Sequence, residues 1–128
     1  MNRTVIHTNK VPPARVPLSQ AIRMGDYVFA SGQLGMSPVT GRLIEGGIEA
    51  ETRQVCENLK AAVEEAGGTL EDICRVDVFV RNMEHFDKIH KVRREYFTAP
   101  GPASTMVEVS KMTSPEYLIE ISAIAVLE

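Results

Sequence analysis

The feature that most constrains this 128-residue chain is a change of period midway along it. From Ile48 to Ala66, apolar Ile48, Val55, Leu59, Ala62, Val63 and Ala66 recur at helical spacing. Glu49, Glu51, Arg53, Glu57, Lys60, Glu64 and Glu65 lie mostly opposite, and Gly67-Gly68 supplies the left-handed residue that ends a helix. Shortly afterwards Ile73–Arg81 alternates with a period of two through Val76, Val78 and Val80 and is rich in β-branched residues, which predicts a central strand. A chain that switches period in this way has to pack helix and sheet around one core.

The remaining segments follow the same logic. Thr4–His7 reads as an edge strand, after which Pro12, Pro13 and Pro17 keep the backbone extended and outside any ladder interior. Ala21–Met24 and Tyr27–Ser31 read as a hairpin around Gly25-Asp26. Residues 32–47 carry five Gly and one Pro in sixteen positions, a loop long enough to carry function or to pack against a neighbour. A second helix is predicted from Glu84 to Phe97, with Phe86, Ile89, Val92, Tyr96 and Phe97 on one stripe and Pro100-Gly101-Pro102 closing it. Strands at Ser104–Lys111 and Tyr117–Val126, joined by a turn at Thr113-Ser114-Pro115, complete the order β-β-β-α-β-α-β-β. The expectation is a single α+β domain spanning residues 1–128, a sandwich with both helices on one face of a six-stranded mixed sheet. That leaves a sheet face with apolar residues uncovered, so self-association is expected.

Composition narrows the function. With 14 Lys+Arg against 17 Asp+Glu the net charge is −3, which disfavours a nucleic-acid partner, since that habit shows as clustered basic charge. Cys56 and Cys74 have no CxxC spacing and no nearby His pair, so they support neither zinc nor a disulfide framework, and both read as half-buried hydrophobes. The N-terminus lacks the apolar run of a signal peptide and no stretch is long enough to span a membrane, so a soluble cytoplasmic protein without a membrane partner is expected.

No dinucleotide, P-loop or zinc-protease motif occurs. His7, His85 and His90 fall in different elements or on different helix faces, which argues against a metal site. Ser31-Gly32-Gln33 stands where a strand opens into the glycine-rich loop, either an ordinary turn or a close backbone approach to a ligand. Glu120, amid the apolar residues of the last strand, is either solvent-facing or a half-buried carboxylate of raised pKa suited to acid–base work. Glu108 in Met106-Val107-Glu108-Val109 poses the same question. Lys88, Lys91, Arg93 and Arg94 are offset by Glu84, Asp87 and Glu95 and read as a solvated helix surface.

Several segments together resemble one family: Pro17-Leu18-Ser19-Gln20-Ala21, Phe29-Ala30-Ser31-Gly32-Gln33-Leu34, Pro38-Val39-Thr40-Gly41, Asn58-Leu59-Lys60-Ala61, Val76-Asp77-Val78-Phe79-Val80, Val107-Glu108-Val109 and Ile119-Glu120-Ile121-Ser122-Ala123-Ile124-Ala125. In this order and spacing, over nearly the whole chain, they look like the Rid (YjgF, endoribonuclease L-PSP) family. The resemblance implies a chorismate-mutase-like fold and a homotrimer whose sheets face inward as a barrel, with ligand clefts between subunits. It implies hydrolysis of reactive enamines and imines such as 2-aminoacrylate to a keto acid and ammonia, with no cofactor. A family arginine would grip the substrate carboxylate through a two-pronged ion pair. Glu120 matches the glutamate that positions or activates water, and Ser31 and Gly32 match ligand contacts at the loop mouth.

Four positions depart from that pattern. The carboxylate-gripping arginine is Ser104, the pocket cysteine is Met106, the tyrosine after Pro17 is Leu18, and the helix asparagine lining the cleft is replaced by His90. A neutral hydrogen bond contributes ~0.5–1.5 kcal/mol and a charge-assisted one ~1.5–3, so carboxylate binding is expected to weaken by one to several powers of ten, which disfavours turnover of 2-aminoacrylate through the usual grip. Three readings stay open: a deaminase of some enamine or imine metabolite with a diverged grip, a non-catalytic trimeric binder of a small molecule such as a carboxylate, and the ribonuclease or translation-inhibitor role attached to the family name. Arg15 or Arg93 is a candidate replacement for the missing arginine.

Overall fold

A computed structural model describes residues 2–128. Six strands form one sheet: β1 (Arg3–Ile6), β2 (Ala21–Met24), β3 (Tyr27–Leu34), β4 (Ile73–Val80), β5 (Ala103–Glu108) and β6 (Ile119–Val126). Their spatial order is β1-β2-β3-β6-β4-β5. Neighbours are antiparallel except β4 and β5, the pair that makes the sheet mixed. Parallel neighbours need a long crossover, supplied here by the helix α2 (Phe86–Tyr96). The long helix α1 (Gly47–Glu65) packs beside α2 and against β3 and β6.

The expected layers are present, and the core lies between helices and sheet. Val55, Leu59, Ala62 and Val63 of α1 and Ile89 of α2 join Val28, Val76, Val78, Val80, Ile121, Ala123 and Ala125 of the sheet. Among the described residues, no helix lies on the opposite face. Tyr27 and Phe29 stand exposed on it and stack at 6.4 Å, in the same cross-strand rows as Val126 and Ile124. Gly25-Asp26 makes the two-residue turn between Met24 and Tyr27, with Gly25 at φ +60°, and Gly67 ends α1's last turn at φ +100°.

Several expectations are corrected. β3 runs on through Leu34, because a bulge at Ser31-Gly32 re-registers it against β6 and delays the loop. A 3₁₀ turn at Met83–His85 precedes α2, with the Asn82 side chain accepting from Glu84 N. The last two strands are shorter than their patterns suggest, at Ala103–Glu108 and Ile119–Val126. Phe86, on the first turn of α2, is 47% exposed, and its ring meets that of His90 edge-on at 4.2 Å. Cys56 is buried as a small hydrophobe, but Cys74 is exposed, on the sheet face that no helix covers.

Because Leu59 is fully buried and Phe86 is not, Leu59→Ala is expected to cost about 2–5 kcal/mol and Phe86→Ala less than about 1. Urea unfolding of the two variants measures the contrast, and similar losses would mean that Phe86 packs into the core after all.

Candidate functional site

The Ser31-Gly32 bulge and the β6 carboxylate meet in one cleft. Its volume is about 380 Å³, and Arg15, Leu18, Ser31, Gly32, Gln33, Tyr117 and Glu120 are among its lining residues. A Cβ on Gly32 would sit 2.8 Å from Glu120 Cδ, so a side chain here would push the carboxylate aside: the glycine leaves the space that the carboxylate occupies. Glu120 is half-buried and burial pushes its carboxyl above the ordinary carboxylate range. Ser31 Oγ donates to Ser19 O at 2.6 Å and Ser31 N to Gln20 O at 3.0 Å, which pins the bulge to the 12–20 arm.

That arm is itself held by one buried amide. Gln20 donates through Nε2 to the carbonyls of Thr8, Val11 and Pro12 and accepts through Oε1 from Thr8 N at 2.8 Å. Two more buried polar groups serve the other walls. Asn58 Nδ2 donates to Leu34 O and Met36 O, fixing the loop after β3, and Glu51, 3% exposed, accepts from Leu118 N at 3.1 Å just before β6. Burial raises the Glu51 pKa, partly offset by that hydrogen bond. Glu51 thus departs from its expected place on α1's solvent face, because the 113–118 loop folds over that part of the helix. Nothing in the spacing of polar residues marks Gln20 as buried, whereas Glu51 stands three residues after Ile48 and four before Val55, on the apolar stripe of α1.

The other candidates gather elsewhere. His90, Arg93 and Arg94 of α2 line a second cleft of about 380 Å³ with Pro102, Ser104 and Met106. Arg93 is only 8% exposed, which corrects its reading as part of a solvated surface. It stands four residues after Ile89 and four before Phe97, a spacing that places it on the core-facing stripe. Burial lowers its pKa, and Nη2 donates to Ser104 Oγ at 3.1 Å. The His90 pKa is lowered by burial first and then by the charges of Arg93 and Arg94, which favours the neutral imidazole. Arg15 is exposed and donates to Gly41 O at 3.4 Å. Glu108 is exposed and accepts from Met83 N at 2.8 Å, a capping contact outside both clefts. His7 is exposed and lies outside both as well.

Strand register explains why the two groups stay apart within one chain. Glu120 pairs with Phe79, which pairs with Val107, a row on the uncovered face. Ser104 pairs with Val76 and Met106 with Val78, rows that continue to Ala123 and Ile121 on the helix-covered face. Directly paired residues share a face, so Glu120 and the Arg93–Ser104 group open on opposite sides of the same sheet.

Among the described residues, no cluster of His, Cys, Asp and Glu could hold a metal ion, and no helix is long and apolar enough to cross a membrane.

Comparison with known proteins agrees with this fold. A family model described as endoribonuclease L-PSP matches residues 8–127. A RutC family protein of Pyrococcus abyssi is 41% identical over 128 residues, all of both chains. A 2-iminobutanoate/2-iminopropanoate deaminase of Dermatophagoides farinae is 36% identical over 98% of each. The crystal structure of E. coli TdcF with bound serine superposes with a TM-score of 0.92 at 33% identity, covering 98% of this chain and 99% of that one.

The raised pKa of Glu120 has a thermodynamic sign. A carboxyl whose folded pKa exceeds its unfolded one contributes stability that is present below the ordinary carboxylate range and lost as pH rises through the raised value. Glu120→Gln, which cannot ionise, is therefore expected to gain on the wild type in melting temperature as pH rises above the ordinary carboxylate range; parallel curves would place the Glu120 pKa in the ordinary range. Glu51 shifts in the same direction but is common to both proteins and cancels.

Proposed function

This chain belongs to the endoribonuclease L-PSP family, also called Rid or YjgF, and on that premise we propose that it hydrolyses a small enamine or imine to a carbonyl compound and ammonia. The observation that carries the reading is the Glu120 carboxyl, half-buried in a cleft where Gly32 leaves space for it and burial lifts its pKa. Hydrolysis of a C=N bond needs a proton delivered to the nitrogen, or first to the carbon of an enamine. It also needs a water oriented at the imine carbon, with a base to take that water's proton. A carboxyl titrating above its usual range holds a proton to higher pH than an ordinary carboxylate and, once ionised, is the stronger base, so it can serve both demands. The balance is one water consumed, one C=O formed and one ammonia released. The deaminase of Dermatophagoides farinae, alike over almost its whole length, supports this class of chemistry.

The assembly is proposed as a homotrimer with uncovered sheet faces turned inward. The exposed Tyr27, Phe29 and Val107 support an apolar contact there. In such an assembly the Glu120 cleft of one copy can meet the Arg93–Ser104 cleft of the next, which joins two half-sites that one chain holds on opposite faces. Sedimentation equilibrium should then give three times the 14.1 kDa chain mass. Phe29→Glu should shift it toward the monomer, and a monomeric wild type would overturn the composite site.

For the chemistry, a pyridoxal-phosphate dehydratase generating the enamine from serine or threonine is run with and without the protein, following keto-acid release. The protein should accelerate release, and Glu120→Gln should reduce that acceleration by about 10²-fold or more. Gly32→Ala should also lower the rate, by displacing Glu120, with little change in melting temperature. No acceleration with this or a panel of other imines would leave the non-catalytic binder as the reading.

A further inference from the structure

We infer that Arg93, delivered from helix α2 and aimed by Ser104, is an anion grip that takes a ligand carboxylate in place of an arginine on β5. The inference rests on the proposed function only for the identity of the ligand. The grip itself rests on an imbalance of charge. Arg93 is more than nine-tenths buried, yet among the described residues no carboxylate lies within ion-pair distance of it; its one hydrogen-bond partner is the neutral hydroxyl of Ser104. A buried cation without a counter-charge is costly, and folded proteins normally pair it. The nearby groups make the imbalance larger. Arg94 lines the same cleft, His90 can supply no negative charge, and Glu95, two residues along the helix from Arg93, is engaged by Arg53. A guanidinium has five N–H donors, and Ser104 accepts from only one of its nitrogens. The cleft beside it is open and electropositive, so an incoming carboxylate meets a desolvated planar fork with donors to spare. Arg15, the other candidate, is exposed and already donates to the Gly41 carbonyl.

The geometry also makes Arg93 and an arginine at position 104 alternatives. Ser104 Oγ is 3.1 Å from Arg93 Nη2, so a second guanidinium growing from that strand position would meet the first at close range with no acid between them. The serine and the helix arginine therefore form a pair, each tolerable because of the other.

The test measures binding separately from turnover, by titration calorimetry with 2-oxobutanoate, a stable keto acid. Arg93→Met should weaken binding roughly 10- to 100-fold, the scale of a lost charge-assisted contact. Arg93→Lys should fall in between, and Lys88→Met, which removes an exposed charge from the same helix, should bind as the wild type does. The double variant Arg93→Met/Ser104→Arg should recover most of the affinity, whereas Ser104→Arg alone should lower the melting temperature without tightening binding. Equal affinity in wild type and Arg93→Met, or no binding to the wild type, overturns the grip. A protein that binds through Arg93 but fails to accelerate imine hydrolysis would retain the grip and lose the deaminase reading.

Discussion

The structure depends on the position of β6. That strand is hydrogen-bonded on both edges, to β3 and to β4, and its alternation therefore sorts side chains across the middle of the sheet. Ile119, Ile121, Ala123 and Ala125 go to the helices and are buried. Glu120, Ser122, Ile124 and Val126 go to the other side. A slip of one residue would exchange the two sets and place a carboxylate in the core, so the register is held by the burial energy of the whole apolar row. Glu120 reaches its cleft through a constraint that belongs to the fold as a whole.

Around that strand, three buried polar side chains bridge segments that no ladder connects. Gln20 ties down the proline-bearing arm, Asn58 the loop after β3, and Glu51 the approach to β6. Each satisfies backbone groups that would otherwise be buried without partners, so each is worth more than its single bonds suggest. The cleft at Glu120 is thereby assembled from loops without being floppy. The Ser31-Gly32 bulge adds the local adjustment: it bends β3 away from strict pairing where a side chain beyond hydrogen would displace the carboxylate.

Much of the fold was legible in the residues. The helical stripe of 48–66, the period-two run at 73–80, the Gly25-Asp26 turn and the surplus of sheet over helix can each be read locally, because backbone geometry ties them to short-range spacing. Parts of the site were legible too, since a carboxylate inside an apolar strand and a glycine at a loop mouth are visible anomalies. Arg93 was legible only as one of two candidate replacements for a missing arginine; its burial was not read, although its spacing from Ile89 and Phe97 carried the signal. Among Lys88, Lys91 and Arg94 it passes for one more surface charge, and only the packing of α2 onto the core and the side chain of Ser104 across from it distinguishes it. Glu51 was hidden for the same reason, its burial coming from a loop more than sixty positions away.

By itself, then, the sequence determined the elements, their two periods and the family to which the chain belongs, since these follow from local spacing and from motifs in a fixed order. Tertiary structure alone decided that Glu120 and Ser104 open on opposite faces, and that an arginine on a helix stands against a serine on a strand. The physical reason is that strand register and helix docking are set by burial summed over many distant residues, and the surroundings of a charge are fixed only when those residues meet.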